Sequence, residues 1–270
     1  MRRREIALAT PEAEGDGGRD PQFVTALARG LDVLRAFRRG DPPLGNQELA
    51  QRTGLPKATV SRLTYTLSSL GFLTYAPVTA KYTLSIKALA LGFTALGSMS
   101  VRDVARPHMQ ALANETGVSV ALGAQDGTSM VYIEHCRGAS PLHMGIEVGS
   151  HISLARSAMG RAFLAGLDLA ERAQLMEALS HRDNWAEIRQ GIEDTLAGYA
   201  ERGFVLLIGD WRQEINAVGV PLVVGSGGSL TFALNCCGPA VLLSRDDLID
   251  RVGPRLMAVA DAIRNAMYME

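Results

Sequence analysis

The stretch Gly54-Leu55-Pro56-Lys57-Ala58-Thr59-Val60-Ser61-Arg62-Leu63 decides how the first third of the chain is read. Gly54 accepts a left-handed backbone without strain and so suits a tight turn. Pro56 opens a helix at a position where its missing N–H is not needed, and Val60, Leu63, Leu67 and Leu70 then share one apolar stripe. Upstream, Asn46 is the expected N-cap of a short helix whose inward face is Glu48-Leu49-Ala50. Before it, Val24, Leu27, Leu31 and Leu34 recur at helical intervals, which predicts a first helix ending near Gly40, ahead of Asp41-Pro42-Pro43. Three helices with a glycine turn between the second and third give helix-turn-helix order.

In that motif the third helix lies in the major groove, and its early residues meet base edges and phosphates. Opposite its apolar stripe stand Lys57, Ala58, Thr59, Ser61, Arg62 and Tyr65, a donor set suited to phosphate positioning and base readout. Phe72-Leu73-Thr74-Tyr75 and Lys81-Tyr82-Thr83-Leu84 flank Pro77 and Thr79-Ala80 and predict a β-hairpin wing, with Lys81 placed to reach the DNA backbone. A plain three-helix bundle with a solvated cationic face would need neither the wing nor the glycine and proline signals.

Charge supports the nucleic-acid reading once it is divided. The chain of 270 residues has a formal charge of −1, which looks unpromising for a DNA binder. Residues 21–90, however, carry nine Lys/Arg against three Asp/Glu, while residues 91–270 carry fourteen against twenty. A +6 module thus precedes a −6 module, and all three lysines, Lys57, Lys81 and Lys87, are in the first. Residues 1–20, at −1, are expected to be a disordered arm. The length suggests two domains. No apolar run reaches the roughly 18 residues a membrane span needs, and three cysteines form no disulfide framework. The expectation is a soluble, cytoplasmic protein with no membrane partner.

These residues carry a resemblance. Ala28-Arg29-Gly30-Leu31-Asp32-Val33-Leu34, Glu48-Leu49-Ala50, the opening stretch, Leu70-Gly71-Phe72-Leu73 and Tyr82-Thr83-Leu84 resemble the DNA-binding half of the IclR family of bacterial transcriptional regulators. Leu89 to Gly97 resembles its linker helix. The run Ile152-Ser153-Leu154-Ala155-Arg156-Ser157-Ala158-Met159-Gly160-Arg161-Ala162-Phe163-Leu164-Ala165 resembles its effector-domain loop and helix. The implied organisation is α+β: a winged helix-turn-helix over 21–86, a linker helix over 87–98 and a GAF-like α/β effector-binding domain over 99–270.

The residues of the rear module agree with an α+β sensor. The linker, Ala88 to Leu96, is apolar enough to be expected buried, and a helix follows over Val101 to Asn114. Strands are predicted at 118–122, 129–133 and 142–148, and again at 204–208, 217–224 and 229–236, with Gly225-Ser226-Gly227-Gly228 as a hairpin turn. Helices are predicted over 158–165, 168–178 and 184–202, and a last one carries Leu248, Val252, Leu256, Val259, Ile263 and Met267.

Catalysis and metal binding find little in the residues. The glycine run lacks the strand, helix and lysine of a phosphate loop. His135, Cys136, His143 and His151 match no standard metal spacing. Cys236-Cys237 has no base nearby in sequence, so neither catalytic residue, metal nor cofactor is expected. An anion site is better supported, because the Ser157-Ala158-Met159-Gly160 loop precedes a helix and leaves backbone N–H groups free. The family resemblance implies that Ala158 and Met159 supply those amides and that Asn235 and Cys237, two apart on a strand, complete an effector pocket. It also implies an acidic contact, with Asp210 chosen and Glu214 its rival. Where the family often has serines, this chain has Asn235 and Cys237, and Arg161 replaces a frequent Lys. Arg156 is a candidate carboxylate clamp. The resulting expectation is a regulator that binds a palindromic operator through helix 56–69, as a homodimer or dimer of dimers, and senses a small organic acid. Two alternatives are an enzyme using Cys237 or a His in the rear pocket, and a DNA-binding protein whose rear domain only oligomerises.

Overall fold

A computed structural model of the chain describes residues 22–140, 145–210, 212–225 and 230–269. The arm over 1–20 lies outside them. The chain divides into two compact units, one up to Ser98 and one from Met99.

The first unit contains α1 (Thr25–Arg35), α2 (Asn46–Thr53), α3 (Lys57–Ser69), β1 (Leu73–Ala76), β2 (Lys81–Leu84) and α4 (Ile86–Gly97). Gly54 closes α2 at φ 68°. The N-cap of α2 is Gly45, not Asn46: the Glu48 carboxylate accepts the Gly45 N–H at 3.1 Å. Asn46 has a better use, accepting the hydroxyl of buried Thr64 at 2.9 Å and so tying α2 to α3. The first helix also ends earlier than expected, at Arg35. Arg52 then fastens the loop, donating to the Ala36 carbonyl at 2.9 Å and pairing with Asp41. Val33, Leu44, Leu49, Val60, Leu67 and Leu73 form the core. The apolar stripe expected on α1 is therefore not its buried face, for Val24 and Leu27 are 62% and 63% exposed and Val33 is the buried residue. Likewise α4 has no buried residue, contrary to the expectation for the linker, and Leu89, Leu91 and Phe93 face solvent. The antiparallel pair β1-β2 forms the wing, and Leu44 bridges to Tyr82 beside it.

The second unit contains α5 (Ser100–Thr116), β3 (Ser119–Asp126), β4 (Ser129–Cys136), β5 (His151–Ser153), α6 (Ala158–Gly166), α7 (Leu169–Ser180), α8 (Trp185–Arg202), β6 (Val205–Ile208), β7 (Ile215–Val224) and β8 (Leu230–Pro239). A short α9 (Arg245–Asp247) passes through one π turn, Leu248–Val252, into α10 (Gly253–Met269). The strands form one antiparallel sheet in the order β5-β4-β3-β8-β7-β6. Helices α5 and α10 pack on each other and on the sheet, while α6 lies on β7 and β8 with α8 against it. The predicted strand over 142–148 is corrected: 145–148 is not strand, 141–144 lies outside the described residues, and the edge strand is His151–Ser153. Gly145 and Gly149, at φ 67° and 84°, break the extended backbone between them. Residues 226–229 of the expected glycine turn are also outside the described set.

One irregularity matters for the site. The β3–β4 register steps from Leu122↔Glu134 to Gly123↔Tyr132, leaving Ile133 as a bulge. Parity flips there. Tyr132 joins the core with Met159 and Ala162 of α6. Glu134 instead receives Arg102 at 3.0 Å and Arg106 at 2.8 Å from α5, and Arg102 Nε donates to the Ile133 carbonyl at 2.7 Å.

Candidate functional site

Two faces gather the chemically interesting residues, one in each unit. On the outer side of α3, Lys57, Ser61, Arg62 and Tyr65 are exposed and Thr59 is half-buried. Val60, Thr64 and Leu67 hold the opposite face in the core. Among the described residues, no hydrogen bond or ion pair engages the side chains of Lys57 or Arg62, so both cations stand ready for an anion. Nearby cations are occupied. Lys87 Nζ donates to the Leu70 carbonyl at 2.9 Å and sits 5.5 Å from the Phe72 ring centre. Lys81 Nζ lies 3.4 Å from Glu48 Oε1. The Glu48 carboxyl is held below its usual range by its own backbone N–H first and by Lys81 second.

In the second unit the geometry of α6 creates a cavity. A Cβ on Gly219 of β7 would lie 2.5 Å from the Ala158 carbonyl oxygen, and one on Gly166 would lie 2.5 Å from Pro221 Cβ. The helix thus runs along β7 from Gly219 towards Pro221, and its N-terminus opens towards Ala217 and Ile215. There the lining is Tyr132, Ile146, Ile152, Ser157, Ala158, Leu207, Ile215, Ala217, Asn235 and Cys237, around some 350 Å³ of empty space that includes open solvent. Ser157 caps α6, its hydroxyl accepting the Gly160 N–H at 3.0 Å. Gly160 permits the close approach, since a Cβ there would lie 2.0 Å from the Leu154 carbonyl oxygen. The N–H groups of Ala158 and Met159 precede any intrahelical acceptor and remain as the positive end of the helix.

Of the sequence-chosen residues, Ala158, Asn235 and Cys237 line this cavity. Met159 does not; it is wholly buried, with its sulfur against Gly123, and it would contribute only as the second N–H of α6. Asp210 and Glu214 also stand outside the lining. The Asp210 carboxylate lies 3.1 Å from the buried Arg161 guanidinium, which also donates to Thr195 at 2.8 Å and to the Ala155 carbonyl at 3.1 Å. Burial pulls the Arg161 pKa down, and Asp210 opposes that shift. Holding this charge is what occupies Asp210. Arg156 points to Glu187 at 3.7 Å, not to the cavity.

Sequence reasoning missed Tyr132. It is 2% exposed, its hydroxyl makes no well-formed hydrogen bond among the described residues, and burial pushes its phenol pKa up, with the nearby Asn235 side chain opposing that shift. The Asn235 side-chain oxygen is likewise buried and unpartnered, while its Nδ2 donates to Cys237 Sγ at 3.3 Å. Burial raises the Cys237 thiol to about 12, a poor state for a nucleophile. Among the described residues, no three His, Cys, Asp or Glu side chains cluster as metal ligands, and His143 lies outside them. His151 sits 2.9 Å from Asp126 on the surface.

A winged helix-turn-helix and a sheet-and-helix unit with a partly open, largely apolar cavity are the two halves of a ligand-responsive transcriptional regulator. Residues 26–77 match the IclR helix-turn-helix domain, and residues 93–265 match the bacterial transcriptional regulator IclR C-terminal domain. The chain belongs to the IclR family. It is similar to the HTH-type transcriptional regulator TsaQ1/TsaQ2 of Comamonas testosteroni, 32% identical over 96% of this chain and 94% of that one. A crystal structure of an IclR family transcriptional regulator from Brucella abortus is 42% identical, with a TM-score of 0.86, over 94% of this chain and 96% of the other. An IclR homologue from Microbacterium hydrocarbonoxydans, solved with 4-hydroxybenzoate, shares the fold at 20% identity and a TM-score of 0.72, over 91% and 100% of the two chains.

Proposed function

We propose that this regulator binds a palindromic operator as a homodimer through α3 and is switched by a small organic acid held at the start of α6. The observation that carries the DNA half is the outer face of α3, where the Lys57 and Arg62 side chains have no partner among the described residues and lie beside Ser61 and Tyr65. Thr59 and Lys81 complete the set, with Lys81 leaving Glu48 to reach a phosphate. Self-association is supported by the apolar surface left open on α1 and α4, where Val24, Leu27, Leu31, Leu89, Leu91 and Phe93 are exposed. Two such faces meeting around a two-fold axis would present paired reading helices to a two-fold site.

The effector half rests on the free N–H groups of Ala158 and Met159 at the mouth of a helix, beside Asn235 and Cys237. An acid that binds one arrangement of the dimer better than another shifts operator affinity by the ratio of its two affinities. The raised Cys237 thiol supports sensing over an enzyme that uses it as a nucleophile.

Footprinting on DNA flanking the gene, with and without a panel of carboxylic acids, tests this directly. The expected result is a protected two-fold site whose occupancy changes with at least one acid and is lost with Arg62→Ala. Protection that survives Arg62→Ala undiminished would rule out α3 as the reader.

A further inference from the structure

Resting on that effector reading, we infer that the cavity selects a monocarboxylate with an apolar body and a hydroxyl next to the carboxylate, and that Tyr132 and Asn235 make the selection. The polar groups gather at one end. Tyr132 pairs across the sheet with Gly123, against which the Met159 sulfur packs. Asn235 pairs with Gly219, against which the Ala158 carbonyl packs. Both side chains therefore flank the first turn of α6, next to the free N–H groups of Ala158 and Met159.

These groups set complementary demands. The two N–H groups and the Tyr132 hydroxyl offer donors, and the buried Tyr132 hydroxyl faces the Asn235 amide without a well-formed hydrogen bond, so a carboxylate placed there satisfies all three better than Asn235 does. The Asn235 oxygen is a buried acceptor with no donor, and a ligand hydroxyl close to the carboxylate supplies one. Beyond this cluster the walls are Ile146, Ile152, Leu207, Ile215 and Ala217. Among the described residues no cationic side chain is in the lining, so a second carboxylate would be desolvated without compensation from them. A polyhydroxylated chain would leave its hydroxyls against aliphatic carbon. The fitting class is that of 2-hydroxy-2-phenylacetate or 2-hydroxybenzoate.

Calorimetric titration of the full-length protein with mandelate, phenylacetate, salicylate, benzoate, phthalate and gluconate tests the inference. Mandelate and salicylate should bind about tenfold or more tightly than phenylacetate and benzoate, with phthalate and gluconate weakest. Tyr132→Phe should weaken every monocarboxylate by about ten- to a hundredfold, and Asn235→Leu should erase the preference for the hydroxylated member of each pair. Tyr132→Phe deletes a hydroxyl without a well-formed hydrogen bond, so its unliganded melting temperature should hold or rise, whereas Asn235→Leu also removes the Nδ2 donor to Cys237 Sγ and should lower it only slightly. A large fall with loss of all binding would assign them to structure and overturn the selective role. Tighter binding of phthalate or gluconate, or equal affinity within each pair, would overturn the ligand class while leaving an effector site in place. Binding of none of the acids would overturn the class together with the effector reading beneath it.

Discussion

At the residue scale, several side chains are defined by what burial does to a proton. Cys136, Cys236 and Cys237 are all buried, and desolvation raises their thiols, Cys136 to about 11 and Cys237 to about 12. Because each folded-state pKa lies above the ordinary thiol value, the unfolded chain loses these protons first as pH rises. The stabilising effect is whole below about pH 9 and is lost progressively as pH climbs towards the folded values. Burial acts on the Tyr132 phenol in the same direction. Urea midpoints should therefore decline steeply between about pH 8.5 and 10.5 under reducing conditions. Replacing the three cysteines by alanine should flatten the decline even if it lowers the midpoint at neutral pH. The same chemistry predicts that iodoacetamide at about pH 7.5 labels none of the three in the native protein; rapid labelling of Cys237 would mean a thiolate is available there and would revive a nucleophilic role.

At the element scale, helices with strong punctuation were legible, while features made by tertiary pairing were not. Gly54, Pro56 and the Val60-Leu67 spacing placed α3 within one residue of its observed start, because turn and cap chemistry is local. The apolar spacing of Val24, Leu27, Leu31 and Leu34 was legible as a stripe, but not that its first three residues are exposed while Leu34 packs on the core, since periodicity does not say what covers a face. The Ile133 bulge, which turns Tyr132 to the cavity and Glu134 to α5, exists only in the pairing of two strands. Asp210 illustrates a different limit: its role follows from the buried Arg161, 49 residues earlier, which no spacing rule connects to it. The position of α6 likewise depends on Gly219, where a methyl would press on the Ala158 carbonyl at 2.5 Å. Gly219→Ala should then lift the start of α6, destabilise the second unit by about 1–3 kcal/mol as overpacking does, and weaken carboxylate binding. Thermal melts and titration of the variant check it, and unchanged acid affinity would show that the helix end is not part of the ligand site.

At the scale of the whole molecule, the formal charge of −1 conceals a division of labour. The +6 of residues 21–90 lies with the winged helix-turn-helix, and the −6 of residues 91–270 would, on the proposed reading, disfavour contact between the second unit and DNA. Electrostatic contribution to operator binding therefore comes from few, identifiable cations, which makes it countable. Removing one cation from a phosphate should flatten the plot of log affinity against log salt by about 0.9. In a homodimer on a two-fold site every substitution acts twice, so Arg62→Ala and Lys57→Ala should each reduce the slope by about 1.8 where the side chain meets phosphate, and the double variant by about twice that. Tyr132→Phe, a change confined to the second unit, should leave the slope unaltered in the absence of acid. Anisotropy titrations of the footprinted site over a range of potassium chloride supply the numbers. A reduction of about 0.9 for Arg62→Ala would mean that one copy per operator makes the contact, and the dimeric mode of reading would have to be given up. No reduction, with affinity weakened equally at every salt concentration, would instead move Arg62 from phosphate to a base edge, where substitution relaxes sequence preference at a single position of each half-site.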